Sequence, residues 1–124
     1  MNAPPINAKF PLIVVKRVYY DAFLAGEKTI EYRRHRAPFT MRAFYPGRWV
    51  RIAYNYDLAR YPHLLARVVA FSVAPAREHP ELATLYKGLG PDDEIALISL
   101  AIDDRSEKRR AERREARGAL NSTP

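Results

Sequence analysis

The sequence predicts an α+β fold: a small mixed β-barrel of about five strands with two short flanking helices. Three observations point there. Five apolar or alternating runs have the length of strands. Only two stretches carry the three- and four-residue apolar spacing of a helix. Ten prolines and five glycines cut the 124 residues into short pieces without forming a low-complexity block.

The elements follow in order. Phe10-Pro11-Leu12-Ile13-Val14-Val15-Lys16 is rich in β-branched residues and predicts a first strand over 10–16. Tyr19, Tyr20, Phe23 and Leu24 cluster by helical spacing, so 19–25 predicts a short helix, with Gly26 at the left-handed position past its end. Residues 28–34 alternate as a strand, with Ile30 and Tyr32 on one face and Thr29, Glu31 and Arg33 on the other. A loop over 36–48 contains Pro38, Pro46 and Gly47. Val50, Ile52, Tyr54 and Tyr56 alternate with polar or small residues and predict a third strand over 50–56. A longer, more apolar fourth strand is expected over 64–73, with Arg67 its one charge. Pro80 opens a second helix over 80–87, with Leu82, Leu85 and Tyr86 on one side and Gly88 beyond its end. A last, almost wholly apolar strand runs over 94–102. The chain thus divides into an N-terminal extension (1–9), a β-α-β-β-β-α-β domain (10–102) and a charged tail (103–124).

Charge is unevenly spread along this frame. The formal net charge is +7. Between Lys9 and Arg60 eleven lysines and arginines face four acidic residues. That half is electropositive and favours a polyanionic partner. The tail after Asp103 is dense in both signs and nearly free of large apolar residues. It reads as a frayed tail, an RNA-touching arm or a packing helix.

Several chemistries are excluded. With no cysteine there is no disulfide framework, thiolate catalysis or cysteine-ligated metal. His35, His63 and His79 lack ligand spacing, so neither a metal nor another cofactor is expected. Ser72, Ser99 and Thr29 have no adjacent histidine for a nucleophile–base pair. Gly88-Leu89-Gly90-Pro91 is a turn, not a phosphate loop. The apolar runs are far shorter than the roughly 20 residues that span a bilayer. No basic region followed by an apolar stretch opens the chain. A soluble, cytoplasmic protein without a membrane partner is expected.

The most informative segment is Ala25-Gly26-Glu27-Lys28-Thr29-Ile30-Glu31-Tyr32-Arg33-Arg34. Glu31 and Arg33 share a strand face, and Lys28 sits at the mouth of that strand. Arg33 brings a fork of donors, Glu31 acceptors for an amino group, and Lys28 a point charge. These three form either a floor for a small planar polar guest or an ion-pair network that organises a barrel end.

Gly26-x-Lys28-x-x-Glu31-x-Arg33 resembles the G-x-K-x-x-E-x-R signature of the activating-signal-cointegrator homology (ASCH) domain, a PUA-like β-barrel family. Leu12-Ile13-Val14-Val15-Lys16 fits the resemblance, which covers about Phe10 to Ile102. So does Pro46-Gly47-Arg48-Trp49-Val50, although Arg48 stands where the family's turn is acidic. The resemblance implies a cleft lined by the signature residues that takes RNA or a nucleotide. It also implies a possible enzyme, because members include a ribonuclease-like group and an amidohydrolase acting on acetylcytidine. The lysine of that amidohydrolase matches Lys28. Its threonine falls at Glu31, and its glutamate lies in the insertion after the fourth strand, where Glu78 and Glu81 are candidates.

Arg33, Arg34, Arg36, Arg42, Arg48 and Arg51 interleave with His35, Phe39, Phe44, Tyr45 and Trp49. Arginine pairs with phosphate and aromatic rings stack on bases. The same residues also serve as a solvated loop with aromatic cover. The leading expectation is an RNA- or modified-nucleoside-binding module using Lys28, Glu31, Arg33, Arg34, Arg36, Arg48, Trp49 and Arg51. The alternatives are a small hydrolase of a modified pyrimidine nucleoside or of RNA, with Lys28 and Glu31 as acid–base groups, and a regulatory module contacting a protein through the tail.

Overall fold

A computed structural model describes residues 9–84 and 86–103; the extension over 1–8 and the tail over 104–124 lie outside the described residues. The element order is β1 (Leu12–Val14), α1 (Arg17–Leu24), β2 (Ile30–Arg34), β3 (Trp49–Ala53), β4 (His63–Pro75), two 3-10 segments (Ala76–Glu78 and Pro80–Thr84) and β5 (Glu94–Ile102). The strands form one curled five-stranded sheet in the order β1-β3-β4-β5-β2, a half-barrel of mixed pairing. β1 runs parallel to β3, and the other neighbours are antiparallel.

The alternation in each strand explains its place. Ile13, Val50, Ile52, Leu64, Ala66, Val68, Ile98 and Leu100 point to one face and form the main core with Tyr20 and Phe23 of α1 and Phe44 of the 36–48 loop. Fully burying an aliphatic or phenyl side chain contributes roughly 1.5–3 kcal/mol. The opposite face of β5 is covered only at its first half. There Ile95 packs with Ala76 and Leu82, and Tyr32, Tyr86, Leu89 and Leu97 surround them. β5 is apolar throughout because both its faces are covered over that half.

β4 changes sides partway. Leu64, Ala66 and Val68 face the main core, but Val68 pairs with Leu100 and Ala70 with Ser99, leaving Val69 as a bulge. Beyond it Phe71, not Ala70, packs against the main core.

Two expectations are corrected. The stretch expected as a second helix over 80–87 is a five-residue 3-10 segment, Pro80–Thr84. The tighter turn suffices to bury Leu82 against Ala76 and Ile95. Among the described residues one α-helix therefore flanks the sheet, not two. The third strand ends at Ala53 rather than at Tyr56, because Asn55 accepts the Asp57 N–H at 2.9 Å and starts a turn. No helix among the described residues is long and apolar enough to cross a membrane.

Candidate functional site

The α1–β2 turn builds the site. Gly26 N–H donates to Phe23 O at 3.2 Å and Glu27 N–H to Ala22 O at 2.9 Å, the paired bonds of a Schellman motif. That motif needs a left-handed residue, and Gly26 has φ +77°. The reversal delivers Lys28 to the free edge of β2. The strand then sends Glu31 and Arg33 to the main-core face, opposite Ile98 and Ala96, and Tyr32 to the other face.

Lys28, Glu31 and Arg33 converge. Glu31 is 5% exposed, the one buried charged residue among those described. Its Oε2 accepts Arg33 Nε at 2.8 Å and lies 2.8 Å from Arg33 Nη2. Its Oε1 lies 3.6 Å from Lys28 Nζ, a longer ion pair. Oε1 is thus the less committed oxygen. Arg33 Nη2 also donates to Val14 O at 2.6 Å, while Lys28 Nζ donates to Ile30 O. The side chains of Lys28 and Arg33 keep 20% and 23% exposure, so the recessed carboxylate is flanked by two partly exposed cations.

Aromatic rings wall the trio. Lys28 Nζ lies 5.2–5.5 Å from the ring centres of Tyr19, Phe23 and Tyr32. Phe39 lies under the Arg33 guanidinium at 4.8 Å and stacks on Phe44. Burial pushes the Lys28 ammonium below its ordinary value, and the Glu31 charge opposes that shift. Burial pushes the Tyr86 phenol up. That hydroxyl donates to Tyr32 O and feels the charges of Arg33 and Glu31.

The other candidates are not gathered around the trio. Arg34 lies on the far face of β2 and donates to Lys87 O at 2.6 Å. Arg36 is exposed in the turn after β2. Arg48 lies over the Tyr45 ring at 5.3 Å. Trp49 and Arg51 alternate with buried Val50 and Ile52, so they occupy the outer face of β3, away from the core-facing Glu31 and Arg33. Glu78 is exposed, and Glu81 Oε1 sits 3.3 Å from Nδ1 of His79, whose ring packs on Tyr32.

Tyr19 and Tyr86 belong to the site, yet they read in the sequence only as apolar members of helices. Their signal is a hydroxyl at the end of an apolar face, which needs a polar neighbour when buried. No protein-family model, curated protein or solved structure matches this chain.

Proposed function

We propose that the chain is an RNA- or modified-nucleoside-binding module whose Lys28–Glu31–Arg33 cluster takes a single pyrimidine-like ring. One observation carries the reading: Glu31 Oε2 is held by Arg33 at 2.8 Å while Oε1 makes only the longer, 3.6 Å ion pair with Lys28 Nζ. An acceptor beside a cationic donor complements the edge of a pyrimidine, where an N–H group adjoins a carbonyl or ring nitrogen. Oε1 accepts the N–H, Nζ donates to the neighbouring acceptor, and Tyr19, Tyr32 and Phe39 flank the ring. The ASCH-like signature supports the same reading.

A hydrolytic role for the same site draws on the lowered proton affinity of Lys28, whose burial leaves its amine more readily deprotonated than an exposed lysine. Calorimetric titration with cytidine, uridine, N4-acetylcytidine and short RNAs tests binding, and acetate release from N4-acetylcytidine tests turnover. Lys28→Ala and Arg33→Ala are expected to weaken nucleoside affinity about tenfold or more, the scale of a lost charge-assisted hydrogen bond. Unchanged affinity in both folded variants refutes the site.

A further inference from the structure

We propose a second, separate surface: the outer face of β3 and β4 is a platform for single-stranded nucleic acid, with a base on Trp49 and phosphates on Arg51 and Arg67. It goes beyond the pyrimidine site, with which it shares no residue.

The platform follows from strand parity. The inward residues of β3 and of the first half of β4 are Val50, Ile52, Leu64, Ala66 and Val68. Trp49, Arg51, Leu65 and Arg67 therefore point outward. Cross-strand register sets Trp49 beside Arg67 and Arg67 beside Ala101 in one row, and Leu12, Arg51 and Leu65 in the next. Successive outward positions on a strand lie about 6.6 Å apart. None of these residues is buried, whereas the neighbouring part of the same face, over Ile95, lies under the 3-10 segments.

The pairings on this face share one chemistry. Arg67 lies 5.5 Å from the Trp49 ring centre and Arg51 5.9 Å from Phe10. A guanidinium stacked on a ring keeps its donors in its own plane, at its rim, where they match phosphate oxygens. The rings offer stacking surface to any base. Two arginines stacked on aromatic rings, in a chain of net charge +7, are complementary to a polyanion with planar groups. An acidic peptide would use the arginines but not the rings, and a duplex would present few unstacked bases.

Trp49 is the sole tryptophan, so its emission reports this face directly. Full-length protein is titrated with oligouridylate and, in parallel, oligodeoxythymidylate, following Trp49 emission and the anisotropy of labelled oligonucleotide. The expected result is saturable quenching. Trp49→Ala should weaken binding about tenfold by anisotropy, from one lost stacked base. Arg51→Ala and Arg67→Ala should each weaken it several-fold, and Arg77→Ala, a charge-matched change elsewhere, should not. Saturating free nucleoside should leave the oligonucleotide bound. A difference between the two oligonucleotides assigns RNA or DNA. Absence of binding, binding without a change in Trp49 emission, or equal loss in Arg77→Ala overturns the proposal. Failure of nucleoside binding, by contrast, touches only the pyrimidine site.

Discussion

Glu31 is held in place by its neighbours before any guest arrives. Two nitrogens of Arg33 converge on one of its oxygens, and no buried polar side-chain atom among the described residues lacks a hydrogen-bond partner. A recessed carboxylate needs such neutralisation, because an unpaired charge there would cost several kcal/mol. The face on which Glu31 and Arg33 lie is legible in the alternation of 28–34, and the role of Gly26 in the apolar run that ends before it. The bend of Lys28 toward three rings is not, since two of them come from α1 and their approach is set by tertiary packing. Two buried titrations make the site visible in stability. The unfolded chain keeps the Lys28 proton up to its ordinary value of 10.5, and the folded protein releases it earlier. Between those values the unfolded state holds more protons, so stability rises with pH. Tyr86 acts the other way. Above its ordinary value of 10.0 the unfolded state loses that proton first, and stability falls. Urea midpoints measured from about pH 8 to about pH 11 should show both limbs. Lys28→Met should abolish the rising limb and Tyr86→Phe the falling one. Limbs unchanged in these variants would show that neither group is desolvated.

At the scale of elements, β1 and β2 end the sheet among the described residues, and side chains at the site manage both edges. Lys28 and Tyr86 occupy the outward carbonyls of Ile30 and Tyr32 on β2. Arg33 reaches from β2 to Val14 O on β1, fastening the two ends of the curled sheet. Unpaired edges invite aggregation, so these contacts protect the molecule as well as shaping the site. The strand order was not readable, because a parallel β1–β3 pair joins segments that a helix and a strand separate. The side change in β4 was readable in part: apolar residues fall at Leu64, Ala66 and Val68, then at Phe71 and Val73, and the doubled Val68-Val69 marks the slip. Over 80–87 the apolar spacing alone does not separate a short α-helix from the 3-10 turn that forms. The clasp has its own test. Arg33→Lys keeps the charge but cannot hold Glu31 and Val14 O together. Loss of one such bond costs about 1–1.5 kcal/mol, so exchange of the Val15 amide, bonded to Ala53 O, should quicken roughly tenfold. Protection across β4 and β5 should hold. Equal acceleration everywhere would mean global destabilisation, and no acceleration at Val15 would mean that β1 is secured without Arg33.

Across the whole molecule, the curled sheet separates two kinds of recognition. The rim where β1 meets β2 offers one recessed carboxylate between two cations, suited to a small, neutral, hydrogen-bonding ring. The outer face of β3 and β4 offers Arg51 and Arg67 over aromatic rings, suited to an extended polyanion. In the sequence these parts are interleaved within a single basic, aromatic stretch, and only strand parity sorts them into different faces. Salt distinguishes the two physically. A neutral nucleoside displaces no condensed counterions, so its affinity at the rim should change little between about 50 and about 200 mM salt. A single strand neutralised by two arginines should lose affinity with a log–log slope of about −1.4, or about sevenfold over that range. Parallel titrations of nucleoside and oligonucleotide across that range measure both slopes on one protein. A steep slope for the nucleoside would move phosphate-like recognition to the rim, and a flat one for the oligonucleotide would remove the arginines of the outer face from its binding.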